Sequence, residues 1–254
     1  GGTNWAEGVK PIPAGAGSNP DADLIARTVA GGKPVRIALT LTGKTVDNLP
    51  SGNVIGELPG TDLSLPPILV GCHLDSWDLG TGAIDDAAGC AIVTAAALKA
   101  QEGGKPLRTI RVLWAGSEEL GGFGGKAYAD KHGEPHALAM ERNFGAARVW
   151  RLTTKFAAGN KALSDRITAA LAPMGIVAGH GEVEGGTDVG FVIAKQKLAV
   201  VDLNQDGTHY FDLHHTPDDT LDKVDPQALA QNVAAWTAVL KVVANAAEPI
   251  QPVE

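Results

Sequence analysis

The stretch "PPILVGCHLDSWDLGTGAIDDAAGCAIVTAAALKA", residues 66–100, decides how this chain folds. It opens on an unbroken apolar run of strand length, the pattern of a strand covered on both faces. It closes on an alanine-rich segment, from about Asp86 to Gln101, with the composition of a helix. Between them lies "HLDSWDLGTGAIDDAAG", residues 73–89, which sets His73, Asp75, Asp78, Asp85 and Asp86 among glycines and alanines. Charges at the junction of two buried segments are costly unless something pairs them. Such a loop is a metal site, a network of salt bridges or an ordinary polar loop.

The strand-to-helix step recurs downstream. "RTIRVLWAG" (108–116) reads as a strand, "GFGGKAYADKHG" as a helix from Gly122, and "HALAMERN" (136–143) as a strand. "NKALSDRITAALAPMG" (160–175) reads as a helix, "TDVGFVIAKQ" (187–196) as a short helix and "LAVVDLNQ" (198–205) as a strand. The long final helix, "DPQALAQNVAAWTAVLKVVANAA" (225–247), opens with Asp225 as N-cap and Pro226 in its first turn. Upstream, "KPVRIALTLTG" (33–43) and "GNVIGELPG" (52–60) read as strands, and 1–32 as an extended or irregular lead-in. Strands alternating with helices predict an α/β sandwich on a mostly parallel sheet.

Composition narrows the function. The 254 residues suffice for one large or two small domains, and 44% hydrophobic with 20% charged residues is ordinary for a globular protein. A net charge of −8 without a long basic run argues against nucleic acid or an anionic membrane as partner. No apolar stretch is long enough to span a bilayer, and the N-terminus lacks the basic start and apolar centre of a signal peptide. With two cysteines only, Cys72 and Cys90, no disulfide framework is expected. Both are read as small buried hydrophobes in preference to a disulfide or a metal role.

In parallel sheets, ligands bind beyond the carboxyl ends of the strands. His73 ends one predicted strand, Glu118 and Glu119 follow "VLWAGS", Asn143 ends "HALAMERN", and His215 lies in "DLHHTPDDT" before the last helix. Separate loops thus deliver His73, Asp85, Glu118, Glu119, Asn143 and His215 to one rim. Asp, Glu and His without Cys suit a catalytic zinc site, or manganese or cobalt. An adjacent pair such as Glu118–Glu119 can divide the work, one carboxylate on a metal and the other as general base. Each motif has a plainer reading: "SEEL" as the acidic first turn of a helix, "HH" as a solvated loop, "IDDAAG" as an N-cap. Those readings must all hold at once, at matching strand ends, for the site to vanish.

The motifs "HLDSWDLGTGAIDDAAG", "WAGSEELGGFGG", "MERNFGA", "EGGTDVGF" and "QDGTHYFDLHHTPDDTLDKVDP" resemble the co-catalytic zinc exopeptidases, the family of zinc aminopeptidases and carboxypeptidase Q, and most nearly the carboxypeptidase Q branch. The resemblance runs from about residue 52 to the end. It implies a three-layer α/β sandwich on a mostly parallel mixed sheet, with 51–254 as catalytic domain and 1–50 as the remnant of a smaller preceding domain. It further implies Asp85 bridging two zinc ions, Glu119 and His215 completing one site, and His73 in the other. Glu118 would be the general base, Asp75 would hydrogen-bond His73 from behind, and Asp85–Asp86 is a place where the family often has a cis peptide. His215 is chosen over His214 on the "HTxxDT" pattern.

One position departs from the pattern. Asn143 stands where the family has an aspartate, and an amide oxygen is a weaker ligand than a carboxylate. The His73-side ion is therefore expected to bind weakly or not at all, unless Glu141 or water takes over. Tyr210 and Asp188 are candidates for the substrate side, the first against a packing role and the second against an N-cap. Asp218, Asp219 and Asp222 are placed outside the metal shell, and His132, His136 and His180 are read as structural or surface residues. The expected function is terminal hydrolysis of short peptides or dipeptides. The alternatives are a single-zinc glutaminyl cyclase-like enzyme and a catalytically impaired binding domain. A periplasmic or secreted location follows from the resemblance alone, and oligomeric state stays open, a homodimer included.

Overall fold

The structure is a computed structural model and describes residues 8–10, 12–15, 17–42, 46 and 48–253. The chain divides into two compact units, Gly1–Pro50 and Ser51–Glu254. In the first, helix α1 spans Asn19–Ala30. Ser18 caps it, accepting from the Asp21 amide and donating to the Asp21 carboxylate, and Pro20 occupies the first turn. The lead-in is thus partly helical, contrary to expectation. Residues 33–42 form no strand, also contrary to expectation, and residue 43 lies outside the described residues. An alternating pattern becomes a strand only when a neighbouring strand takes its backbone hydrogen bonds, and none pairs with this stretch among the described residues.

The second unit is built on a seven-stranded mixed sheet. Its strands are β1 (Val54–Leu58), β2 (Ile68–His73), β3 (Ile110–Ala115), β4 (Leu138–Glu141), β5 (Val149–Lys155), β6 (Val177–Ala178) and β7 (Ala199–Gln205), ordered β1-β3-β2-β4-β7-β5-β6. β3, β2, β4 and β7 run parallel, while β1 and β5 join antiparallel. The helices are α2 (Ala88–Ala100), α3 (Phe123–Lys131), α4 (Lys161–Leu171), α5 (Thr187–Gln196), the short α6 (Tyr210–Leu213) and α7 (Pro226–Ala244).

Every residue of β2 is buried, and alternate side chains feed opposite faces. Ile68, Val70 and Cys72 pack with α2, α4 and α7 around Trp236, Leu240 and Ile167. Leu69 packs with Leu113, Ala139 and Val189 under α3 and α5. Two helical layers therefore enclose the sheet, as the three-layer expectation requires. Each such fully buried aliphatic side chain contributes roughly 1.5–3 kcal/mol relative to exposure. Asp225 caps α7 by accepting from the Gln227 amide, with Pro226 in the first turn.

Cys72 and Cys90 form a disulfide, which corrects the reading of both as free buried hydrophobes. Cys72 lies at the end of β2 and Cys90 in the first turn of α2, and their Cα atoms are 5.1 Å apart, within bonding range. The bridge closes the opening loop at its neck, which the sequence separation of 18 does not reveal.

Candidate metal centre

β2, β3 and β4 run parallel, so their carboxyl ends bring His73, the Glu118–Glu119 turn and Asn143 to one edge. The loop after β2 then turns back on itself. Gly82 sits at φ 66°, where a Cβ would lie 2.3 Å from Ser76 and 2.9 Å from the Asp85 carbonyl, so only glycine permits this return. A kinked turn over Ala83–Ala87, in which Asp85 and Asp86 leave helical backbone geometry, then presents both at the start of α2. The Asp85–Asp86 peptide is cis, and so is Asp78–Leu79.

Asp85 lies at the centre. Its Oδ1 is 3.2 Å from His73 Nε2, and its Oδ2 is 3.3 Å from the Nε2 atoms of both His214 and His215. Only His215 also reaches Glu119, whose Oε2 is 2.7 Å away. On the other side, Asn143 Oδ1 is 3.2 Å from His73 Nε2. Its Nδ2 donates to Glu118 Oε1 at 3.3 Å and Glu141 Oε1 at 3.2 Å. His73, Asp85, Glu118, Glu119, Asn143 and His215 are thus one cluster. His214 approaches Asp85 equally, so contact with Glu119 is what distinguishes His215.

The electrostatics are those of a site built for cations. Burial, reinforced by the Asp85 charge, pushes Glu119 up to about 7. Its Oε1 is buried without a hydrogen-bond partner among the described residues. Burial alone would lower His73, but the hydrogen bond to Asp85 and the charges of Asp86, Asp85 and Glu118 raise it to about 10. Burial, then the neighbouring His214, holds His215 below the usual histidine range, the neutral form a ligand needs. Imidazole and carboxylate donors converging beside an orphaned carboxylate oxygen fit a divalent metal of the zinc type. Among the described residues, Asp85, His214 and His215 bring ligand atoms within 4.8 Å of one another, while Glu119 adjoins them through His215 and Asn143 adjoins Asp85 through His73.

The supporting residues differ from expectation. His73 Nδ1 donates to the backbone carbonyl of Asp75 at 2.9 Å, which leaves Nε2 facing Asp85. The Asp75 carboxylate instead accepts from the Glu118 and Glu119 amides, at 2.9 and 3.2 Å. Asp75 therefore holds the Glu118–Glu119 turn with its side chain and His73 with its main chain. Asp188 is buried, accepts from the Gly125 amide at 3.0 Å and ties α5 to the start of α3. Its carboxylate sits behind the site and presents no surface to a substrate.

Tyr210 is also buried, stacked on Phe144 with ring centroids 4.1 Å apart and tilted against His214 at 4.8 Å. Burial, then the charge of Asp85, drives its phenol above the ordinary range. Asp219 was expected outside the site. It is buried, and its carboxylate accepts from the Ile84 amide at 2.6 Å and the Asp85 amide at 3.1 Å. The sequence signal for it is its place in "HHTPDDT", three residues beyond a candidate ligand's neighbour and beside a second aspartate that is exposed.

A cavity of about 270 Å³ is lined by Ile84, Phe144, Tyr210 and Leu213 with Lys223 and Asp225, and touches the cluster's chain neighbours Ile84 and Phe144. Leu79 and Leu120 stand exposed on the loops after β2 and β3, Phe123 at the start of α3 and Phe211 in α6.

With this geometry in hand, comparison with known proteins is informative. The family described as Peptidase family M28 matches residues 53–240. Carboxypeptidase Q of Rattus norvegicus is 32% identical over 249 residues, covering 96% of this chain and 52% of the relative. The chain thus spans about half the length of the curated relatives it matches. A peptidase M28 precursor from Shewanella amazonensis has a solved structure that superposes with a TM-score of 0.84 at 43% identity, over 99% of this chain and 57% of that one. BSAP, a zinc aminopeptidase from Bacillus subtilis, superposes with a TM-score of 0.58 at 18% identity, over 74% of this chain and 48% of that one, a likeness of fold.

Proposed function

The chain belongs to peptidase family M28, and from that premise we propose that residues 51–254 are the catalytic domain of a zinc-dependent exopeptidase acting on short peptides or dipeptides. One observation supports this reading above the others. Asp85 lies between His73 on one side and the Glu119–His215 pair on the other, with the Glu118 carboxylate held beside them by Asn143. Asp85, Glu119 and His215 would hold one zinc ion, and His73, Asp85 and Asn143 would hold a second more weakly. When bound, zinc acidifies water toward a pKa of about 7 and polarises a scissile carbonyl.

The chain's own residues do the remainder. Asp75 pins the Glu118 amide, so the base is carried on a fixed turn, and Asn143 Nδ2 steadies its Oε1. The Glu118 carboxylate takes a proton from the attacking water and returns it to the leaving amine nitrogen. The cavity beside Ile84, Phe144 and Tyr210 receives an apolar side chain of the substrate. A secreted or periplasmic location is consistent with the Cys72–Cys90 disulfide, since such bonds persist in oxidising compartments.

Glu118→Gln is the deciding variant. It keeps the shape of the side chain and removes the base, so hydrolysis of dipeptides should fall by about 10²–10⁴-fold with zinc content unchanged. Near-full activity in this variant refutes the assignment. Asn143 favours a second reading, cyclisation of N-terminal glutamine at a single zinc. Formation of pyroglutamate in place of free amino acids from the same peptides would select it.

A further inference from the structure

Trp77 belongs to the loop that carries His73 and Asp85, yet it makes no hydrogen bond to the cluster. Its half-buried indole lies almost flat on the His215 imidazole, with ring centroids 4.7 Å apart and planes 16° apart. His214 stacks on His215 as well, at 3.6 Å and 20°. Two near-parallel neighbours leave the His215 ring one plane to occupy. In that plane its Nε2 lies 2.7 Å from Glu119 and 3.3 Å from Asp85. The backbone beneath gives little help, because His215 sits at φ 59°, a left-handed conformation disfavoured for a residue with a Cβ.

We propose that Trp77 is a positioning residue of the metal centre, whose indole holds His215 in register for the ion and strengthens the bond once the ion is present. The second half follows from charge. An imidazole bound to a dication becomes electron-poor, and the face of an indole is the electron-rich side of its quadrupole. The contact therefore stabilises the loaded site more than the empty one, which a merely space-filling side chain does not do. It also couples the two ends of the site, because the segment that supplies His73 and Asp85 also braces the third ligand from a distant loop.

The inference rests on the metal-site reading above, and its test reads metal binding directly. Zinc affinity of the whole chain is measured by competition with a chromophoric chelator for wild type, Trp77→Phe and Trp77→Leu. Tryptophan emission is followed in the same titrations. Trp77→Phe keeps an aromatic face and should bind zinc within about threefold of wild type. Trp77→Leu keeps apolar bulk without that face and should bind about 10-fold more weakly, the size of effect expected when a ligand's supporting partner is lost. Zinc should change the emission of wild type, and that change should be absent from Trp77→Phe.

Equal affinity for Trp77→Leu and wild type overturns the proposal, as does an emission change that persists in Trp77→Phe. If Trp77→Leu does not fold, the emission comparison decides alone. A wild type that binds zinc but cleaves no peptide defeats the exopeptidase reading and leaves the Trp77 result standing. A wild type that binds no zinc defeats both.

Discussion

One amide nitrogen in place of a carboxylate oxygen sets the charge of the His73 corner. Asn143 turns Oδ1 toward His73 and donates Nδ2 to Glu118 and Glu141, so it satisfies its neighbours as a neutral group. A carboxylate at this position would face two other acids and would need a cation to stay there. Asn143→Asp should accordingly raise the zinc retained after dialysis from one ion per chain to two, as read by elemental analysis, because a carboxylate oxygen is the stronger donor. Unchanged zinc content would show that Asn143 does not limit the second site.

At the scale of elements, the site is three loops clasped by carboxylates that are not ligands. Asp75 holds the Glu118–Glu119 turn, Asp188 ties α5 to α3, and Asp219 fixes the kinked turn before α2. Asp219→Ala leaves the Ile84 and Asp85 amides without their acceptor. Buried donors stripped of a carboxylate partner cost about 1.5–3 kcal/mol each. The urea midpoint of the variant should fall clearly below that of wild type, and its zinc affinity should fall with it. A wild-type midpoint would mean that water replaces the carboxylate. These clasps were the least legible part of the sequence, since a motif marks a ligand by residue type and says nothing of which amide a neighbouring acid will reach. The convergence of His73, Asp85, Glu119, Asn143 and His215 was legible, because strand ends, glycines and donor chemistry all point to the same rim. Among the elements, β2, β3, β4, β7 and the helices beside them followed from apolar runs and caps. β5 and β6 did not, because β5 enters antiparallel to β7 and interrupts the strand–helix alternation used to find the others. The Ser18–Pro20–Asp21 signature of α1 was present in the sequence but passed for an irregular lead-in.

Across the second unit, one ion-pair network joins the sheet edge to its helical cover. Arg111 on β3 reaches Glu57 on β1, Glu134 beyond α3 and the Tyr128 hydroxyl within it. Partial burial alone would raise the Glu134 carboxyl, but the Arg111 guanidinium holds it down at about 2, against 4.5 for the ordinary group. A depressed carboxyl stabilises the fold above its unfolded value and loses that contribution as pH falls through the folded one. Glu134→Gln should therefore lower stability at pH 7 by less than about 1 kcal/mol, given its exposure. That difference from wild type should shrink between pH 4.5 and about 2 and vanish below. Urea denaturation at a series of pH values checks it, and a gap that stays constant with pH would exclude the linkage. The Asp219 clasp has a different consequence for the molecule as a whole. It joins the amide of Asp85 to a carboxylate 134 positions later in the chain. His215 stands further still from His73. During synthesis the polypeptide emerges N-terminus first, so the strands and helices around residues 66–140 are already outside the ribosome while the His73–Asp85 half of the cluster lacks its closing loop. Completion of the cluster is consequently a late event in the life of each chain, coupled to the emergence of the "HHTPDDT" segment and the helix behind it.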